Sequence, residues 1–111
     1  MVWKQGIELV KDIYCLTKKF PKDELFGLTS QIKRAAVSVP SNIAEGYSRS
    51  NRNEFAQFLR IAMGSLSETE TQLIIARELS FTSIEESKAT LDKIVSLNKM
   101  LVSLYNKTKQ K

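Results

Sequence analysis

With 111 residues, 42% apolar and 26% charged, the chain has the size and make-up of one globular domain and is too short for two cores. Seventeen Lys and Arg against twelve Asp and Glu leave a formal charge of +5, and no histidine is present for acid–base work or metal binding. Cys15 is the only cysteine, which excludes an internal disulfide and makes reducing cytoplasm the expected compartment.

The opening MVWKQGIELV lacks the apolar run and cleavage site of a secretory signal, and no apolar run reaches spanning length, so no membrane role is expected. A first helix is predicted over residues 3–19. Trp3, Ile7, Val10, Tyr14 and Thr17 form one stripe at three-four spacing, and Leu9, Ile13, Leu16 and Phe20 an adjacent one. Together they make a face wider than a two-stranded coiled-coil seam, as a bundle helix needs. Lys18 and Lys19 suit the carbonyl end, and Pro21 stops the helix. Residues 22–27 form a joint in which Leu25 and Phe26 are expected to fold back over the end of the core. Thr29 or Ser30 is expected to cap the second helix.

That helix is predicted from residue 30 to 45 or 47, with Leu28, Ile32, Ala35, Val39 and Asn42 on one side. Ala35, Ala36 and Ala44 permit close approach of another backbone. Pro40 would ordinarily end the helix at Val39. The apolar spacing resumes in phase at Ile43, so the helix is predicted to run through with a bend. After a sharp turn at 46–50, Asn51 and Glu54 fit a capping box opening a third helix that reaches about residue 79. Phe55, Leu59, Ala62, Leu66, Thr69, Leu73 and Ala76 recur at four-three spacing, which makes this helix the spine; Gly64 inside it is expected to mark a close helix contact.

Ser83 and Glu86 form a second capping box at the start of the fourth helix. Its stripe is Ser87, Leu91, Ile94, Asn98, Leu101 and Tyr105, and residues 108–111 are expected to fray. Four helices with short joints predict an all-α, up-down-up-down four-helix bundle spanning residues 1–111 as one domain. Trp3, Leu9, Tyr14, Leu97, Val102 and Leu104 give the first and last helices more apolar surface than a small bundle buries, which predicts self-association through a closed symmetric contact.

Charge is unevenly spread. Residues 1–60 hold ten basic and six acidic groups, residues 61–98 three and six, and residues 99–111 four and none. Candidate nucleic-acid contacts are Lys33, Arg34, Arg49, Arg52 and Arg60, with Lys107, Lys109 and Lys111 on the tail. Such groups grip phosphates and confer little sequence preference; the same pattern also serves as a merely solubilising surface. Asn42, Glu45, Arg60 and Glu68, with Tyr47 and Arg49 nearby, are read as a polar clamp between the second and third helices, or else as a pocket at a subunit junction. Catalytic machinery is missing from the pattern: a lone cysteine has no base, Glu68 and Glu70 do not share a helix face, and no Gly-rich phosphate loop occurs. No enzyme activity, metal or cofactor is expected.

LTSQIKRAAVSVPSNIAEGYSR followed by EFAQFLRIAMGSLSETETQL resembles the signature of the bacterial four-helix bundle proteins encoded by intervening sequences in large-subunit ribosomal RNA genes, often labelled S23 ribosomal protein. The matching positions are Arg34, Pro40, Ser41, Asn42, Glu45, Gly46, Arg49, Glu54, Phe55, Leu59, Gly64, Ser65, Leu66, Glu68 and Glu70, while the stretch around Thr71 is more polar than in relatives. The resemblance implies a small bundle assembled as a symmetric ring, usually a homopentamer. The family is also similar to the accessory proteins of diversity-generating retroelements, basic pentameric barrels that bind nucleic acid and a reverse transcriptase. It carries no agreed catalytic residue. Three functions follow as expectations: a non-catalytic oligomer binding RNA or DNA backbone through repeated basic patches; a structural or adaptor bundle whose partner is another protein; and, least supported, an enzyme or ligand carrier with an unforeseen pocket.

Overall fold

Each apolar-periodic segment becomes one helix. The computed structural model describes residues 1–109 and contains α1 (Val2–Thr17), α2 (Leu28–Tyr47), α3 (Arg52–Glu78) and α4 (Ile84–Lys109), with no strand among the described residues. Consecutive helices pack against one another and α1 also meets α4, giving a rod 47 Å long. Of the two stripes on α1, the one holding Leu9 and Ile13 enters the core, joined by Val2 and Gly6; Trp3, Ile7 and Tyr14 stay exposed. Leu9 therefore belongs to the interior, as does Leu97 on α4, and neither adds to the outward apolar surface.

α2 runs unbroken through Pro40, which is buried. Gly6 explains how the proline ring is accommodated: a Cβ at that position would lie 3.1 Å from the Pro40 Cβ, so the backbone of α1 passes directly over the ring. The close approach expected at Gly64 does not occur, since a Cβ there would meet nothing within 4 Å. Gly46 takes that role instead, lying under Phe55 and Phe58 of α3. Ala44, for its part, faces outward.

The joint after α1 also departs from expectation. A single 3-10 turn, Lys22–Glu24, leads into α2, and Leu25 and Phe26 are exposed rather than folded over the core. The reason is occupancy. Phe20 and Phe81 already close that end, with ring centroids 5.7 Å apart. α2 begins earlier than predicted, with Gly27 at its cap and the Glu24 carboxylate accepting from the Leu28 N–H at 3.1 Å, which leaves Thr29 inside the helix and buried.

Asn51 caps α3 by accepting from the Glu54 N–H at 2.9 Å. The far end of α3 closes with Ser80 in the left-handed region (φ 63°) and the Phe81 N–H donating to the Ala76 carbonyl at 2.8 Å. This Schellman closure satisfies late carbonyls and drops Phe81 back onto the core. Ser83 and Glu86 form the reciprocal box at α4, each bonding the other's N–H at 3.0 Å. Along α4, Ser87, Thr90, Ile94, Leu97 and Leu101 face inward, so the stripe lies one residue behind the predicted one at its middle, and Asn98 is exposed. Thr108 remains helical and buried, donating to the Leu104 carbonyl at 2.8 Å; only residues 110–111 of the expected frayed tail lie outside the described residues.

Candidate nucleic-acid interface

The short α2–α3 joint brings the carbonyl end of α2 and the amide end of α3 together, and the Tyr47 ring packs against that of Phe55 across it, tilted by 39° with centroids 5.2 Å apart. Tyr47 also borders a shallow groove with Met1, Lys99, Met100, Leu104 and Lys107, which adds the end of α4 to the same pole of the molecule. Five basic side chains gather there. Arg49 is held by an ion pair with Glu45 one turn back and lies 4.9 Å from the Phe58 ring centroid. Arg52 is exposed in the first turn of α3. Lys99 and Lys107 flank the groove, and Lys109 lies 5.9 Å from the Tyr105 ring centroid. Ring faces attract cations while leaving most of the charged head open to solvent or to a phosphate.

Lys99 was missing from the sequence candidates. Its signal was available, because residues 99–109 contain no acidic group to neutralise it. The other candidates lie elsewhere. Lys33 leans over the Tyr14 ring of α1 at 4.7 Å, while its neighbour Arg34 lines a groove against α3. Arg60 is exposed on α3. Lys111 lies outside the described residues. Of the seven candidates among the described residues, Arg49, Arg52, Lys107 and Lys109 share one end of the rod, while Lys33, Arg34 and Arg60 occupy three separate positions along it.

The polar link between α2 and α3 has a different membership from the one read in the sequence. Ser38 and Ser65 meet hydroxyl to hydroxyl at 2.8 Å, and the Asn42 Nδ2 donates to both the Ser38 carbonyl and its Oγ at 2.8 Å. Glu45 turns to Arg49, Glu68 lines the groove with Arg34, and Arg60 takes no part in the link. Small hydroxyl residues fit where the two backbones run close, whereas longer charged chains reach past the contact to solvent. The i,i+4 spacing of Ser38 and Asn42 was the legible clue.

Among the described residues no group of His, Cys, Asp and Glu could hold a metal ion, and no helix is long and apolar enough to cross a membrane. The family model for the 23S rRNA-intervening sequence protein matches residues 1–103. A crystal structure from Bacteroides thetaiotaomicron VPI-5482, described as a protein of unknown function from the S23 ribosomal protein family, superposes with a TM-score of 0.87. It is 25% identical, and the match covers 95% of this chain and 98% of that one. No curated protein matches the chain in sequence.

Proposed function

The chain belongs to the 23S rRNA-intervening sequence protein family, and from that premise we propose that it is a non-catalytic, ring-forming bundle that binds the backbone of RNA or DNA. The observation that carries the reading is the gathering of Arg49, Arg52, Lys99, Lys107 and Lys109 at one end of the rod. Phosphates are attracted there without selection for sequence. The helices run up, down, up and down, and the ring forms through lateral contacts between unlike faces. Exposed Trp3, Ile7 and Tyr14 on α1 supply one such face, and Val95 and Val102 on α4 another. A heterologous contact of this kind closes into a ring when its rotation divides the circle, and five copies are the number the resemblance implies. Each copy then presents its cationic end on the same rim, so that weak contacts reinforce one another through high local concentration.

The test combines light scattering with titration of short RNA and DNA at 50 and 200 mM salt. Binding should weaken steeply with salt, by roughly 0.7 in log–log slope per phosphate neutralised on a single strand. Arg49→Ala with Arg52→Ala should lower affinity at least several-fold while leaving the circular-dichroism spectrum unchanged. Absence of binding at low salt with the assembly intact, or capture of a protein partner insensitive to nuclease in its place, refutes the reading and favours an adaptor role.

A further inference from the structure

We propose that the groove between α2 and α3 beside Phe26 takes a single unpaired nucleotide, its base stacked on the Phe26 ring and its phosphate on Arg34. This rests on the nucleic-acid reading above and adds to it a site that distinguishes unpaired from paired strands. Phe26 is 93% exposed, the most exposed of the large apolar side chains, and Phe20 with Phe81 already fills the core end it would otherwise cover. An aromatic ring left in water at the rim of a concavity is a stacking platform, because every base has a π-face to set against it.

The concavity has a volume of about 470 Å³, within the range that encloses small ligands. Its lining is polar rather than greasy: Gln31, Arg34, Ser38, Ser65 and Glu68 line it alongside Phe26. The anchor of a protein partner needs an apolar pocket, whereas a splayed-out base needs donors and acceptors for its edge. Gln31 supplies both kinds, and the Glu68 carboxylate accepts from an exocyclic amine. Arg34 forms no ion pair among the described residues, so its guanidinium is available to a phosphate. The floor is fixed by the bond between the Ser38 and Ser65 hydroxyls, which holds the two helix backbones at a set spacing. A paired base cannot reach such a groove, because its edge and both its faces are already occupied in the duplex.

Affinity of the full chain for an eight-nucleotide unpaired strand, in RNA and DNA forms, is compared with that for a duplex of the same sequence. Phe26→Ala should weaken binding of the unpaired strand about tenfold and leave duplex binding unchanged, while Phe26→Trp should retain or strengthen it. Phe26 supports no core contact, so the alanine variant keeps the fold. The sugar whose unpaired strand shows the larger Phe26 dependence identifies the source of the nucleotide. If the unpaired strand binds the wild type and Phe26→Ala changes nothing, or weakens strand and duplex equally, the groove site is overturned and backbone binding stands. If neither strand nor duplex binds the wild type, both readings fall. A Phe26→Ala variant that binds strands normally but loses a stoichiometric protein partner assigns the patch to that protein and overturns the site.

Discussion

Gly46→Ala sets two opposing effects against each other, and the structure decides which wins. Alanine gains about 1 kcal/mol over glycine inside a helix. At this position, however, the new Cβ would lie 2.8 Å from the Phe55 Cδ1, 3.2 Å from its Cε1 and 3.1 Å from the Phe58 Cβ. Ordinary carbon–carbon contact is about 3.5–4.0 Å. The Phe55 ring is packed against Tyr47, and the Phe58 Cβ is fixed to the backbone of α3, so relief requires α3 to move. Overpacking of this kind costs roughly 1–3 kcal/mol, which leaves a net loss of about 1 kcal/mol. Gly64→Ala is the matched control: nothing lies within 4 Å of its added Cβ, and it should gain about 1 kcal/mol. Urea unfolding followed by far-ultraviolet circular dichroism, at one fixed protomer concentration because association shifts apparent stability, measures both. A Gly46→Ala protein about 1 kcal/mol more stable than the wild type, the gain expected where nothing obstructs the new Cβ, would refute the account of the α2–α3 contact. A loss at Gly64 would show that another copy packs on that face.

Leu66→Ala removes a fully buried side chain from the middle of α3 and should lower unfolding free energy by about 2–5 kcal/mol, a drop readable in the same urea curves. Glu86 should give the protein an acid-sensitive joint. The hydrogen bond from Lys19, then that from the Ser83 N–H, holds its pKa down at about 2 from an ordinary 4.5. A depressed carboxylate contributes stability above its unfolded pKa and loses it as pH falls through the folded value, so the contribution should fade between about pH 4.5 and 2. Glu86→Gln should flatten stability in that window, and a carboxyl titration by NMR with a midpoint near 4.5 would disprove the depression.

Helix existence was legible because the apolar period persists through local irregularities. Ile43 resumes the phase after Pro40, and that outweighed the proline. What periodicity leaves open is which of two adjacent stripes faces inward, since they differ by only one residue. That is why Leu9 and Leu97 moved inside while Trp3 and Asn98 remained outside. Features set by competition between distant segments were not legible at all. Leu25 and Phe26 are apolar enough to be core, yet Phe20 and Phe81 occupy the position first. Gly46 was read as the start of the turn and Gly64 as the close contact, and only the placement of Phe55 and Phe58 shows that the contact falls on Gly46, still inside α2. Within the candidate site, Arg49 and Arg52 were legible from the joint they flank, whereas Lys99 joins them only because α4 returns to the same end.

The α1–α4 seam bears on how the protein acquires its shape. Its two ion pairs, Asp12 with Lys93 and Lys19 with Glu86, join residues 81 and 67 positions apart, while the α2–α3 hairpin meets across a few residues at its turn. Loop-closure entropy therefore favours the middle hairpin as the early nucleus and makes docking of the last helix the step that secures the first. During synthesis, α1 must wait for the chain to emerge through α4, with Ile13 and Leu9 only partly sheltered by α2 until then.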